Sequence, residues 1–323
     1  MNKNIFITRQ IPEVGINMLR KAGFNVDVSP DQDPPNQEWI ISELKNKQYD
    51  GVISLLTDAI DSKVFDAVPS VKVYVNYATG FDNIDLAEAK KRGIAVANSP
   101  SDLASEAVAE HTIALMLALA ARIVEADESV RRGKYKGWAP MNFIGMDILG
   151  KTLGLVGAGR IGQRVAHYSK GLGLDVLYTD VKRNEQIEKE CGAKYCASVE
   201  ELLPQCDVVS LHTPLLDSTR HLINETRLHL MKPTAFLINT SRGPVVDEKA
   251  LENALREKVI AGAGLDVFEF EPNISPGLIE LQNVILTPHI ASASDEARDE
   301  MATIAAQGII DFFEGKEMKN RVA

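Results

Sequence analysis

The sequence predicts an α/β protein built from two doubly wound parallel sheets. Three observations carry this. Short apolar runs alternate with helix-patterned segments along most of the 323 residues. A glycine turn of spacing G-x-G-x-x-G, at Gly157, Gly159 and Gly162, joins one such run to a helix pattern. Pro100 and Ser101 interrupt the alternation, leaving one α/β unit before them and a second after. The expected division is 1–99 with 291–323 for one domain and 100–290 for the other.

Taken in order, the apolar runs at 5–8, 24–28, 51–55, 71–76 and 94–97 read as strands. Helix patterns lie between them at 12–22, 39–45, 64–67 and 84–91, and Gly23 and Gly93 close two of them. The segment 31–36 is a polar loop with prolines. A long, mostly apolar helix is expected over 102–132, then a loop over 133–145 that holds Trp138 and Pro140. Strands are expected at 152–156, 175–178, 208–211, 235–240, 262–266 and 284–286, with helices around Leu228 and over 249–257. An amphipathic helix over 295–314 reads as a return to the first unit.

Composition excludes several classes. The chain is 45% hydrophobic and 25% charged, a globular mix, and its formal charge of −10 speaks against a nucleic-acid surface. Cys191, Cys196 and Cys206 are too few, and wrongly spaced, for a disulfide framework or a zinc site, so a reducing cytoplasm and no metal are expected. The first ten residues are too briefly apolar for a signal peptide, and the apolar run 112–121 is too short to cross a bilayer.

The glycine turn has a physical function at each position. Gly157 permits the tight turn, Gly159 admits a pyrophosphate to the backbone, and Gly162 lets helix and strand pack closely. The helix N-terminus then offers unpaired N–H groups and a partial positive charge to phosphate. Asp180 ends the next apolar run about 20 residues on, where a carboxylate can accept from a ribose diol. The spacing therefore predicts a Rossmann unit that binds a dinucleotide, as against a purely structural βαβ turn. The first unit lacks such a turn, so it is the candidate for substrate binding, with a pocket expected between the domains.

Four further features end strands of the second unit: HTP at His212, Thr213 and Pro214; NTSRG at 239–243; LDVFEFEP at 265–272; and TPHIAS at 287–292. Arg242 is placed to grip a carboxylate, or to make an ordinary ion pair. His289 is a candidate proton donor, or a structural histidine. Glu271 can hold His289 charged, and Glu269 competes for that place. Asp266 can accept from a nicotinamide carboxamide, or simply close a turn. His212 can touch cofactor. His111, His167, His221 and His229 fall on helices or their ends and read as structural or exposed.

Together VGAGRIGQRVA, LHTPL, INTSRGPVVDEKAL, GLDVFEFEP and TPHIAS resemble, in order and spacing, the D-isomer-specific 2-hydroxyacid dehydrogenase family over nearly the whole chain. VNYATGFDNID at 75–85 and ISLLTDAID at 53–61 look most like the glyoxylate and hydroxypyruvate reductases within it. The resemblance implies a flavodoxin-like substrate domain beside the Rossmann domain. It implies Arg242, Glu271 and His289 as the catalytic set. Arg160, Ile161, Thr240, Ser241 and Asp266 join the glycines and Asp180 in binding the cofactor. The Ala78–Gly80 loop, through Thr79 and Gly80, takes the substrate carboxylate with Arg242, and Leu55 or Leu56 packs over the substrate. Trp138 and Met141 are further candidates for setting pocket size.

Hydride transfer to C2 of a small 2-oxo acid is implied, with His289 giving the proton, so that reduction should fade and oxidation gain as pH rises. NAD is expected from Asp180, with NADP as second choice because Lys182 and Arg183 follow it. The family also implies a homodimer through the helix starting near Asp102. Two alternatives share the core: a phosphoglycerate dehydrogenase without its regulatory domain, since only about 30 residues follow His289, and an NADH-sensing scaffold of the C-terminal-binding corepressor type.

Overall fold

The computed structural model describes residues 3–30 and 33–323. Of the loop expected over 31–36, Asp31 and Gln32 lie outside the described residues. The chain divides into two compact units, Met1–Ala104 with Ala293–Ala323, and Ser105–Ser292.

The first unit carries a parallel sheet of β1 (Asn4–Ile7), β2 (Asn25–Val28), β3 (Gly51–Leu55), β4 (Val73–Tyr77) and β5 (Ala95–Asn98), in spatial order β2-β1-β3-β4-β5. This is the flavodoxin-like order, and its direction reverses at β1 and β3. Helices α1 (Glu13–Lys21), α2 (Gln37–Asn46), α3 (Ser62–Ala67) and α4 (Leu86–Lys91) link the strands. Side chains of Asn36, Asp61 and Asp85 cap the last three by accepting from amides of their first turns. β4 is buried along its whole length, as expected of a strand covered on both faces.

The unit boundary falls within α5 (Asp102–Ala120). By length and mean hydropathy this helix would pass for a membrane span, but half of it is buried within the protein. Leu115, Met116 and Leu119 pack with Leu153, Leu155 and Ile238 in the core of the second unit. The single helix expected over 102–132 is in fact two. Arg122 takes a left-handed conformation (φ 52°), and α6 (Ile123–Arg131) starts after it. The break has a packing cause. Met146 N–H donates to Ala120 O at 2.8 Å, and a Cβ on Gly145 would lie 2.0 Å from that same oxygen. The returning loop thus occupies the end of α5.

The second sheet contains β6 (Thr152–Val156), β7 (Asp175–Thr179), β8 (Lys194–Tyr195), β9 (Val208–Leu211), β10 (Phe236–Asn239), β11 (Gly262–Leu265) and β12 (Val284–Leu286). Its order is β12-β11-β10-β9-β6-β7-β8, all parallel where paired, with the switch between β6 and β9. The crossovers carry α7 (Arg160–Gly171), α8 (Glu185–Cys191), α9 (Val199–Leu202), α10 (Glu225–Leu228), α11 (Glu248–Arg256) and α12 (Pro276–Ile279). The final helix, α13 (Asp295–Phe313), returns to the first unit. It lies so close to α1 that a Cβ on Gly15 would meet Ala302 O at 2.6 Å.

Candidate functional site

The glycine turn sits at the switch point of the second sheet, where open α/β sheets form a ligand crevice. Gly157 has φ +100°, and a Cβ there would lie 2.7 Å from His212 O, on the loop after β9. A Cβ on Gly162 would lie 2.3 Å from Gly157 O, so α7 is seated directly on the turn. Gly159 differs: among the described residues an added Cβ would meet nothing within 4 Å. The open side is where a pyrophosphate would need to approach the N-terminus of α7, so the residues present fit a dinucleotide. Arg160 and Ile161 begin α7, the first exposed and the second half-buried.

At the end of β7, Asp180 Oδ2 accepts from Ala158 N–H at 2.7 Å, which ties the acidic residue to the turn. After β9, His212 Nε2 pairs with Ser210 Oγ at 2.9 Å. Among the described residues, His212 Nδ1 and the hydroxyl of Thr213 are buried without a hydrogen-bond partner, the pattern of groups that await one. Burial pushes the His212 imidazole down to about 4, so it is neutral. Pro214 follows at the surface.

The loop after β10 is built around Asn239. Its Oδ1 accepts from Ser241 N–H (3.0 Å) and Ser241 Oγ (2.8 Å), while its Nδ2 donates to Arg242 O at 2.9 Å. Thr240 Oγ1 pairs with Thr112 Oγ1 of α5 at 2.9 Å. Arg242 is half-buried, and its Nη1 donates to Ser241 O at 2.9 Å. Gly243 must be glycine: a Cβ would lie 1.8 Å from Phe268 O. That approach fastens the Arg242 loop to the loop that carries Glu271.

Glu271 and His289 meet. His289 Nδ1 lies 2.9 Å from Glu271 Oε2, and each side chain is 26% exposed. Glu271 Oε1 accepts from Phe268 N–H at 2.9 Å, which fixes the carboxylate plane. Burial raises the Glu271 carboxyl, but the bond and charge of His289, the Phe268 amide and the charge of Arg242 outweigh it and hold the group below the ordinary carboxylate range. The competing Glu269 is engaged elsewhere. It pairs with His221 Nε2 at 2.6 Å, and its Oε2 accepts from Glu248 N–H.

Asp266 is fully buried, and the loop that follows β12 surrounds its carboxylate. Oδ1 accepts from Thr287 Oγ1 (2.7 Å) and Ile290 N–H (2.9 Å), and Oδ2 accepts from Ala291 N–H (2.8 Å). Its backbone oxygen accepts from His289 N–H at 2.9 Å. The left-handed His289 (φ 54°) is thereby clasped on both sides by one residue. About four lone-pair sites serve a carboxylate, so about one remains for an outside donor. His111, read from the sequence as structural or exposed, reaches this cluster through Thr287 Oγ1 at 3.1 Å and stands 3.6 Å from Asp266 Oδ1.

In the first unit, Leu55 ends β3 at the edge where the strand order reverses. The buried Asp58, paired with Arg9 at 3.1 Å, accepts from Leu55 N–H at 2.7 Å. The loop after β4 is pinned by its carbonyls. Ala78 O accepts from Ser99 N–H (2.9 Å), Thr79 O from Asn98 Nδ2 (2.6 Å) and Gly80 O from Asn76 Nδ2 (2.9 Å). A trans peptide points N–H opposite to C=O, so the amides of Thr79 and Gly80 are turned away from these partners. The bracing asparagines Asn76, Asn98 and Asn239 were not singled out from the sequence. Only their placement at strand ends hinted at them.

Comparison with known proteins agrees with this architecture. Residues 113–291 match the model of the D-isomer specific 2-hydroxyacid dehydrogenase NAD binding domain. The chain is 49% identical over 325 residues to a glyoxylate reductase of Korarchaeum cryptofilum, covering 100% of this chain and 96% of that one. A crystal structure from Thermus thermophilus superposes with a TM-score of 0.92 at 39% identity, covering 99% and 100% of the two chains. An NADPH-dependent glyoxylate/hydroxypyruvate reductase of Sinorhizobium meliloti, solved with NADP and malonate, gives a TM-score of 0.86 at 29% identity, covering 100% and 97%.

Proposed function

The chain belongs to the D-isomer-specific 2-hydroxyacid dehydrogenase family, oxidoreductases that act on 2-hydroxy acids, and we propose that it is an NAD(H)-dependent reductase of a small 2-oxo acid such as glyoxylate or hydroxypyruvate. The observation that carries this reading is the 2.9 Å pairing of His289 with Glu271, on the unit that also bears the glycine turn.

Gly157, Gly159, Arg160, Ile161 and Gly162 would hold the pyrophosphate, and Asp180 the adenosine ribose. His212, Thr213, Pro214, Thr240, Ser241 and Asp266 would hold the nicotinamide side. When bound, the nicotinamide supplies the hydride for C2 of the acid. Arg242 binds the acid and stabilises the charge that grows on the keto oxygen. His289, charged beside Glu271, gives its proton to that oxygen, and in the reverse direction neutral His289 takes it back. Thr79 and Gly80 contribute amide N–H groups for the substrate carboxylate, and Leu55 an apolar contact. NAD is the proposed cofactor because Asp180 repels a 2′-phosphate.

A homodimer is the proposed assembly. Ile123, Val130, Trp138, Met141, Ile144 and Leu149 leave large apolar side chains in solvent along the segment after α5, the surface proposed to meet a second copy. A cytoplasmic setting is proposed from the three free cysteines.

The test is steady-state oxidation of NADH and NADPH with glyoxylate, hydroxypyruvate and pyruvate. The reading expects turnover with at least one acid, faster with NADH. Tight NADH binding with no turnover on any 2-oxo acid would replace the enzyme with a scaffold.

A further inference from the structure

We propose that Glu188 helps set the choice of dinucleotide by withholding Arg183 from the 2′ position of the adenosine ribose; the inference rests on the NAD-binding reading above. At the end of β7 lies a cavity of about 470 Å³, lined by Ala158, Asp180 and the following loop to Glu185. Lys182 and Arg183 stand in that loop. A 2′-phosphate carries up to two negative charges near neutral pH, and an arginine just past the strand end is what would receive it.

Arg183 is held elsewhere. Its Nε donates to Glu188 Oε1 at 3.1 Å and its Nη2 to Glu188 Oε2 at 2.8 Å, a bidentate fork. The guanidinium also lies 5.6 Å from the centre of the Tyr195 ring. An isolated exposed pair of this kind is worth little, but this one is anchored. Glu188 is only 22% exposed, against 62% for Arg183. The hydroxyl of the buried Tyr178 donates to Glu188 Oε1 at 2.6 Å and accepts from Asn184 N–H at 2.7 Å. Asn184 Nδ2 then donates to Ala158 O at 2.7 Å, and Ala158 N–H donates to Asp180 Oδ2. One run of hydrogen bonds thus leads from the cation, through β7, to the glycine turn.

The consequence is a division of labour. Asp180 repels a 2′-phosphate directly, and Glu188 occupies the cation that would otherwise offset that repulsion. A phosphate that drew Arg183 away would leave a fixed carboxylate uncompensated beside it. A ribose diol needs no cation, so NAD is indifferent to the clamp. Glu188 is therefore a positioning residue, which acts through Arg183.

The test compares adenosine 2′,5′-bisphosphate with adenosine 5′-monophosphate, which differ only in the 2′-phosphate, by calorimetric titration of the intact protein. In Glu188→Gln the amide still accepts from Tyr178 while the charge is gone; Glu188→Ala is the second variant. Both should tighten the bisphosphate by about tenfold or more and leave the monophosphate unchanged. Adding Arg183→Ala should abolish the gain, and the NADPH to NADH ratio of kcat/KM should follow the same order. An unchanged ratio in both Glu188 variants, or a gain that survives loss of Arg183, would overturn the inference. If the unaltered protein bound neither probe nor NADH, the cofactor reading would fall and take the inference with it.

Discussion

Replacing Glu271 by Gln removes one charge and very little else. The amide oxygen can still accept from Phe268 N–H, which now reaches Oε1 at 2.9 Å, so the loop keeps its brace. The lost element is the charge-assisted bond to His289 Nδ1, also 2.9 Å long, between side chains that are each 26% exposed. Such a bond contributes about 1.5–3 kcal/mol to the charged imidazole. Losing it should slow reduction about 10- to 100-fold, while NADH affinity stays unchanged. Oxidation, which uses neutral His289, should lose less. The assay is kcat against pH in both directions, with NADH binding titrated separately. An unchanged kcat for reduction would refute the role given to this pair.

Three stability predictions follow from the same geometry. Gly243→Ala should destabilise the fold by about 1–3 kcal/mol in urea unfolding, because its Cβ would sit 1.8 Å from Phe268 O; unchanged stability would mean that the two loops are not fastened there. Asp266→Asn turns one acceptor into a donor inside a shell of donors and should cost about 1–3 kcal/mol, with His289 disordered in NMR spectra; a rigid His289 would contradict the clasp. His212, held near 4 in the fold against an unperturbed 6.5, favours the neutral form, so its contribution is complete above pH 6.5 and is lost as pH falls toward 4. That loss amounts to up to about 3 kcal/mol, and His212→Asn should flatten the stability profile in this window; an unchanged slope would count against it.

How much of this was legible in the sequence depended on the range of the interaction. The alternation of strands and helices is a local signal, and both parallel sheets followed from it. So did the glycine turn, because φ +100° at Gly157 and the close seat of Gly162 leave no other residue type. The stretch 185–202 was silent: α8, β8 and α9 are too short to show a period. The break in the 102–132 helix was hidden for another reason. Arg122 gives no local warning, and the cause, Met146 on Ala120, lies 26 residues away. In the site, the residues alone left Glu271 and Glu269 as rival partners for His289 and the family resemblance chose Glu271; the coordinates put Glu271 beside His289 and pair Glu269 with His221. His111 was missed because its contact with Thr287 is remote in sequence, and the asparagine braces because nothing in a strand-end asparagine tells which carbonyl or amide of the following loop it will hold.

His289 is proposed to carry the proton in both directions of a 2-oxo acid reduction. The most direct measurement is the pH dependence of reduction and of oxidation, taken with deuterated NADH and deuterated hydroxy acid so that the hydride step is known to limit the rate. Opposite trends are expected, reduction fading and oxidation rising with pH, with collapse of both in His289→Asn while the fold stays intact. Parallel profiles for the two directions under those conditions, or normal turnover in the variant, would contradict it.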